Sequence, residues 1–167
     1  MNKKYLPFLA TILIALLIIA PGIAGAAPKY NPVSVGYQNV TASNASIILE
    51  KGYVFVLDVR TPAEYGYSHI AGAKLIPLRN VLAHDPFPLP DSQLLPNRMK
   101  ELPKSKYTRI VVYCYTGKRG GEASQMIAKA GYKRVYNIQG GLPAWVNAGY
   151  PVVIDPAKWG ANYPHNP

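Results

Sequence analysis

Val112-Tyr113-Cys114-Tyr115-Thr116-Gly117-Lys118-Arg119-Gly120-Gly121-Glu122 decides both the fold and the chemistry of this chain. Upstream, Arg109-Ile110-Val111-Val112-Tyr113 is apolar on successive residues, the mark of a strand covered on both faces, as in a parallel sheet. Downstream, Gly121 to Ala130 reads as a helix stopped by Gly131. Between them lies a short loop with glycines at 117, 120 and 121, able to curl so that successive backbone N–H groups converge. Converging amides at a helix start form an anion-binding nest, to which Lys118 and Arg119 add full positive charge. Cys114 stands at the base of this cradle. A cysteine so placed is expected to favour the nucleophilic thiolate. A small buried core cysteine is the competing reading, but packing alone gives no reason for the glycine-rich, basic loop that follows.

Working outward, strand and helix signals alternate. Tyr37 to Val40 is a strand candidate; Thr41 can cap a helix from Ala42 to about Lys51; Tyr53-Val54-Phe55-Val56-Leu57 is a second doubly buried strand. Lys74-Leu75-Ile76 and Arg134-Val135-Tyr136-Asn137-Ile138 are further strands, and Gly140-Gly141 leads into a short helix over about Leu142 to Ala148. This alternation implies an α/β sandwich with a mostly parallel sheet, in which sites form at the carboxyl ends of strands. Residues 80–103 break the rhythm with Pro86, Pro88, Pro90, Pro96 and Pro103, leaving room for one helix over about Ser92 to Leu102.

The 167 residues carry a net charge of +10, with the basic side chains scattered rather than in runs. That pattern suits a solvated basic surface or attraction of small anions, and argues against a nucleic-acid partner. Cys114 is the one cysteine of the chain, so no internal disulfide can form. His69, His84 and His165 are isolated, so no metal-ligand spacing appears and no cofactor is called for. At the amino end, Asn2-Lys3-Lys4, an apolar run from Phe8 to Ala20, Pro21-Gly22 and Ala24-Gly25-Ala26 follow the order of a secretory signal peptide over 1–26. The alternative is an uncleaved anchor, since Leu6 to Ala27 is long enough to span a bilayer of about 30 Å. Residues 27–36 read as a linker, 37–153 as one domain with a Pro-rich insertion at about 80–103, and 154–167 as an irregular tail. An exported, periplasmic or extracytoplasmic protein is expected, touching the membrane only if the leader is retained.

Four segments in order resemble the rhodanese-like domain family: Asp58-Val59-Arg60 through Glu64-Tyr65; His69-Ile70-Ala71-Gly72-Ala73 with Ile76-Pro77-Leu78; Cys114-x-x-Gly117-x-Arg119; and Gly140-Gly141-Leu142-x-x-Trp145 with Gly149-Tyr150-Pro151-Val152. The resemblance implies a three-layer sandwich with a mostly parallel central sheet flanked by helices. It also implies sulfurtransferase activity of the thiosulfate sulfurtransferase type. Cys114 would take a sulfur atom from a small anionic donor, such as thiosulfate or a persulfide, and pass it as a persulfide to a thiol or cyanide-like acceptor. Tyr115, Thr116, Gly117, Lys118, Arg119 and Gly120 would surround the donor. Arg60 is read either as facing the site mouth or as pairing with Glu64, four positions on. Asp58, Glu64 and His69 are read as structural supports, and Trp145 as core. Ser68, Gly120 and the long 80–103 connection depart from the family pattern. Two other functions remain open: a persulfide carrier docking its partner near the Pro-rich insertion, and cysteine-dependent phosphatase or arsenate reductase chemistry on a related fold. Those phosphatases carry one more residue between cysteine and arginine, whereas Tyr115 to Lys118 are the four that intervene here.

Overall fold

A computed structural model of the chain describes residues 36–80 and 88–154. The leader 1–26, nearly all of the 27–36 linker, Pro86, His84, and the tail beyond Ile154 lie outside these residues.

The doubly apolar strands are central because they feed two cores at once. On β5 (Arg109–Tyr113), Ile110 and Val112 point to one layer with Leu57, Ile76, Leu95, Ala123 and Ile127. Val111 and Tyr113 point to the other with Ala45, Val56, Ile70, Leu142 and Trp145. Fully burying such side chains contributes about 1.5–3 kcal/mol each, which is why these strands lack the alternation of a half-exposed sheet. β2 (Val54–Asp58) and β6 (Arg134–Ile138) flank β5, β1 (Gln38–Val40) lies beyond β6, and β4 (Lys74–Leu75) lies beyond β2. All four pairings of this five-stranded sheet are parallel, so every carboxyl end lies on the same rim. The fold class is therefore α/β with a mostly parallel central sheet flanked by helices.

α1 (Ala42–Leu49) starts at Thr41, whose hydroxyl accepts the Asn44 N–H at 3.2 Å. α2 (Pro62–Tyr67) is not among the helices expected from the sequence. Thr61 and Glu64 cap it reciprocally, with Pro62 in its first turn. β3 (Ser68–His69) then pairs antiparallel with β7 (Val153–Ile154), so Ile154, read as the start of the tail, belongs to a small second sheet. The helix expected over Ser92 to Leu102 is broken into a 3-10 turn at Asp91–Gln93, α3 (Leu95–Arg98) and another 3-10 turn at Met99–Glu101. The break falls at Leu94, which is extended, and α3 restarts with Pro96 in its first turn, where a missing N–H costs no helical hydrogen bond. This part of the insertion is anchored: Leu95 and Leu102 are buried with Ile76 and Leu78, and the Leu95 N–H donates to the Pro77 carbonyl at 2.8 Å. α4 (Lys118–Lys129) and α5 (Gly141–Asn147) follow β5 and β6.

Candidate active site

β5 delivers Cys114 to the carboxyl rim of the sheet, fully buried beside Val112 and Leu57. The chain then turns within Tyr115–Gly117, because α4 begins at Lys118, three residues before the expected start at Gly121. The turn is made by Gly117, whose φ of +87° lies in the left-handed region. A side chain there would press on the Gly140 N and the Ile138 carbonyl at 3.0 and 3.1 Å. This geometry aims the Gly117 N–H back at the Cys114 Sγ, 3.1 Å away.

The early helix start changes the roles of the other two glycines. Gly120 and Gly121 are buried in the first turns of α4, not in a donor-facing loop. A Cβ at Gly120 would collide with the Asn137 carboxamide oxygen, and one at Gly121 would lie 3.1 Å from the Tyr37 hydroxyl. Gly120, expected beside the donor, is a packing residue that lets α4 close on β6.

Asn137 is the residue that sequence reasoning missed. It is 3 % exposed, and its Nδ2 donates to the Gly117 carbonyl at 3.1 Å and to Asn39 Oδ1 at 2.8 Å. The Gly117 carbonyl also accepts from the Gly121 N–H at 2.9 Å, so the peptide at the loop's apex is held from strand and helix together. The available signal was a carboxamide inside the otherwise apolar Val135–Ile138 run. From the other side, the Leu142 N–H donates to the Cys114 carbonyl at 2.9 Å. Gly141, at φ +62°, makes this approach possible, since a Cβ there would strike the Tyr115 and Cys114 carbonyls. A cleft of about 450 Å³ opens beside the loop among Asn39, Thr116, Lys118, Gln125 and Gln139. Cys114 does not line it, so it flanks the sulfur rather than covering it.

Charge at the rim is paired. Arg119, in the first turn of α4, meets Glu64 of α2 through two hydrogen bonds of 2.6 and 2.8 Å, with both side chains 14 % exposed. Burial pulls the Arg119 guanidinium down, but Glu64 and the neighbouring Cys114 outweigh it and hold it above its ordinary value. Burial likewise pushes the Glu64 carboxyl up, yet Arg119 and the Thr61 N–H keep it below the usual carboxylate range. Lys118 is exposed, Tyr115 is half-buried and Thr116 exposed.

Arg60 neither reaches the mouth nor bonds Glu64. It is 2 % exposed, with Nε 3.0 Å from both Asp58 oxygens, and a terminal nitrogen 2.7 Å from Asp58 Oδ2 and 2.5 Å from the Ser68 carbonyl. The physical reason is the strand end: Asp58 closes β2 in the interior, and its buried charge requires the nearest cation. Burial, with Asp58 beside it, also drives the Tyr113 hydroxyl well above its ordinary range, while that hydroxyl accepts the Ile70 N–H at 3.1 Å. His69 stacks on Tyr65 with ring centroids 3.9 Å apart, and its Nδ1 meets the Tyr65 carbonyl at 2.9 Å. Trp145 is buried and donates to the Pro151 carbonyl at 3.0 Å. Among the described residues, no group of three or more His, Cys, Asp or Glu side chains could hold a metal ion.

The site thus holds a buried cysteine at a parallel-sheet rim, with a backbone N–H facing its sulfur and the Arg119–Glu64 pair on the adjoining helices. Residues 41–148 match the Rhodanese-like domain family, and the chain belongs to it. A sulfurtransferase of Allochromatium vinosum is 35 % identical over 100 residues, which span 60 % of this chain and 78 % of that protein. Thiosulfate sulfurtransferase 18 of Arabidopsis thaliana is 30 % identical over 124 residues, covering 74 % of this chain and 89 % of that one. Among solved structures, a rhodanese-related protein from Thermoplasma volcanium superposes with a TM-score of 0.56 at 26 % identity, over 71 % of this chain and all of that one. At the level of the family, this is a rhodanese-type sulfurtransferase.

Proposed function

We propose that the protein transfers a sulfane sulfur through a persulfide on Cys114. The observation that carries this reading is the Gly117 N–H placed 3.1 Å from Sγ, where it can stabilise negative charge on sulfur before and after transfer. The Cys114 thiolate attacks the outer sulfur of a donor such as thiosulfate or a persulfide. The donor's S–S bond breaks, and sulfite or a thiolate leaves with the electron pair. A thiol or cyanide-like acceptor then attacks the outer sulfur of the Cys114 persulfide, and the Cys114 thiolate is the leaving group. Arg119 flanks the donor's anionic end and Lys118 adds long-range attraction. Thiosulfate as donor is supported by the name of the Arabidopsis relative.

Mass spectrometry after thiosulfate exposure tests this directly. Cys114 gains the mass of one sulfur atom, an acceptor thiol removes it, and Cys114→Ser gains nothing. A wild-type protein that stays unloaded with every sulfane donor would overturn the reading. Loading without turnover to small acceptors would instead favour a carrier that serves a partner protein. Hydrolysis of aryl phosphates well above background would favour phosphatase chemistry, which the four-residue spacing from Cys114 to Arg119 argues against. We further propose that residues 1–26 direct export. N-terminal sequencing of the protein from envelope fractions should find a start near Ala27, and a full-length form confined to membranes would mean an anchor.

A further inference from the structure

Three arginines follow the carboxyl ends of β2, β4 and β5, and each already has a carboxylate. Arg60 is locked to Asp58 in the interior. Arg79 pairs with Glu122 at the surface, both about half exposed. Arg119, whose charge acts on Cys114, is held through two hydrogen bonds by Glu64. The three pairs carry no net charge. Lys118 is exposed and makes no ion pair among the described residues. In the folded protein, then, the cradle is not an open trap for a highly charged anion. A donor that uses Arg119 must share it with a carboxylate that is itself largely buried, and the repulsion from Glu64 grows with every negative charge the donor brings.

Resting on the sulfur-transfer reading above, we infer that Glu64 is a specificity-determining residue that disfavours dianionic donors, and that the donor class suited to this site is an alkyl persulfide. The two reactions differ in charge. With thiosulfate, a thiolate and a dianion combine, and the products are a Cys114 persulfide anion and sulfite dianion. With an alkyl persulfide, the Cys114 thiolate attacks the outer sulfur, the S–S bond breaks, and an alkyl thiolate leaves with the electron pair. The outer sulfur keeps its own proton or charge. The persulfide brings at most one negative charge on its sulfur atoms, so it meets less of the Glu64 field.

Glu64→Gln tests this while preserving shape, because the glutamine oxygen can still accept the Thr61 N–H that Glu64 accepts at 2.9 Å. Rates of Cys114 persulfide formation are measured by rapid-quench mass spectrometry over a concentration series of thiosulfate and, separately, of cysteine persulfide. Wild type should load faster from the persulfide. Glu64→Gln should raise the thiosulfate-to-persulfide ratio about tenfold, the size expected for one extra unit of donor charge near a partly buried carboxylate. The gain should lie in thiosulfate half-saturation rather than limiting rate, and should shrink at high salt. Arg119→Gln leaves Glu64 unneutralised and should move the ratio the opposite way, which gives a second reading if Glu64→Gln folds poorly. A ratio that stays the same in both variants, or faster wild-type loading from thiosulfate, overturns the inference while leaving sulfur transfer intact. Failure of the wild type to load from either donor overturns sulfur transfer itself.

Discussion

Arg60→Met should unfold the rim rather than weaken donor binding. The wild-type guanidinium is 2 % exposed and sits against a fully buried Asp58. Removing it leaves Asp58 with the Arg60 backbone N–H at 2.9 Å and the Tyr113 hydroxyl, and takes the donor from the Ser68 carbonyl. Breaking a buried ion pair from one side costs about 3–5 kcal/mol, because the remaining charge stays buried without its partner. Against a typical total of about 5–15 kcal/mol, that is a large fraction. In urea the midpoint should fall by a corresponding amount with little change in slope, and Tm should drop by roughly 10–20 °C. Asp58→Asn combined with Arg60→Met should recover most of the loss, since no orphan charge remains. The decisive comparison is with donor kinetics at a temperature where the variant stays folded. Stability within about 0.5 kcal/mol of wild type, with a raised donor half-saturation, would refute the structural assignment and restore Arg60 to the donor site.

Gly120→Ala drives a methyl group into the buried Asn137 carboxamide and should cost about 1–3 kcal/mol, measured by urea denaturation, with a matching loss of sulfur transfer. Asn137→Ala removes one of the two donors to the Gly117 carbonyl, leaving the Gly121 N–H, and should slow Cys114 alkylation and persulfide formation; Asn39→Ala, which keeps the Asn137–Gly117 bond, should have the smaller effect on both. The Glu64 carboxyl is held below its ordinary value of 4.5, so its contribution to stability is complete above that pH and disappears as pH falls through the lowered value. Urea midpoints of wild type and Glu64→Gln should therefore differ most near neutrality and converge in acid, and a constant gap across that range would argue against the ion pair.

What could be read from the chain and what could not divide along a physical line. Periodicity and local capping are properties of neighbours in sequence, so the apolar runs from Tyr53 to Leu57 and over Arg109–Tyr113, the Thr41 cap, and Cys114 at a strand end were all legible in the chain, although β2 starts only at Val54 and Tyr53 is 73 % exposed. Pairing between distant residues is set by topology. Glu64 and Arg119 lie 55 positions apart, and they meet because β2 and β5 are adjacent and parallel, with Asp58 in register with Tyr113. That register brings the helices following both strands to one rim, α2 after β2 and α4 after β5. The local alternative, Glu64 four residues from Arg60, had the right spacing for a helical pair, but Arg60 precedes the Thr61 cap and turns inward to Asp58 instead. The glycines failed in the same way. Three in one short stretch suggest a flexible loop, yet one at +87° is enough to reverse the chain, and the next two make room for Asn137 of β6 and for Tyr37. Sequence thus locates Cys114, while Glu64, which pairs with Arg119, and Asn137, which holds the Gly117 carbonyl, come from neighbouring strands and the helices that follow them. If donor charge is selected as we infer, that selection belongs to the assembled rim, and Glu64→Gln should change it without touching the cysteine.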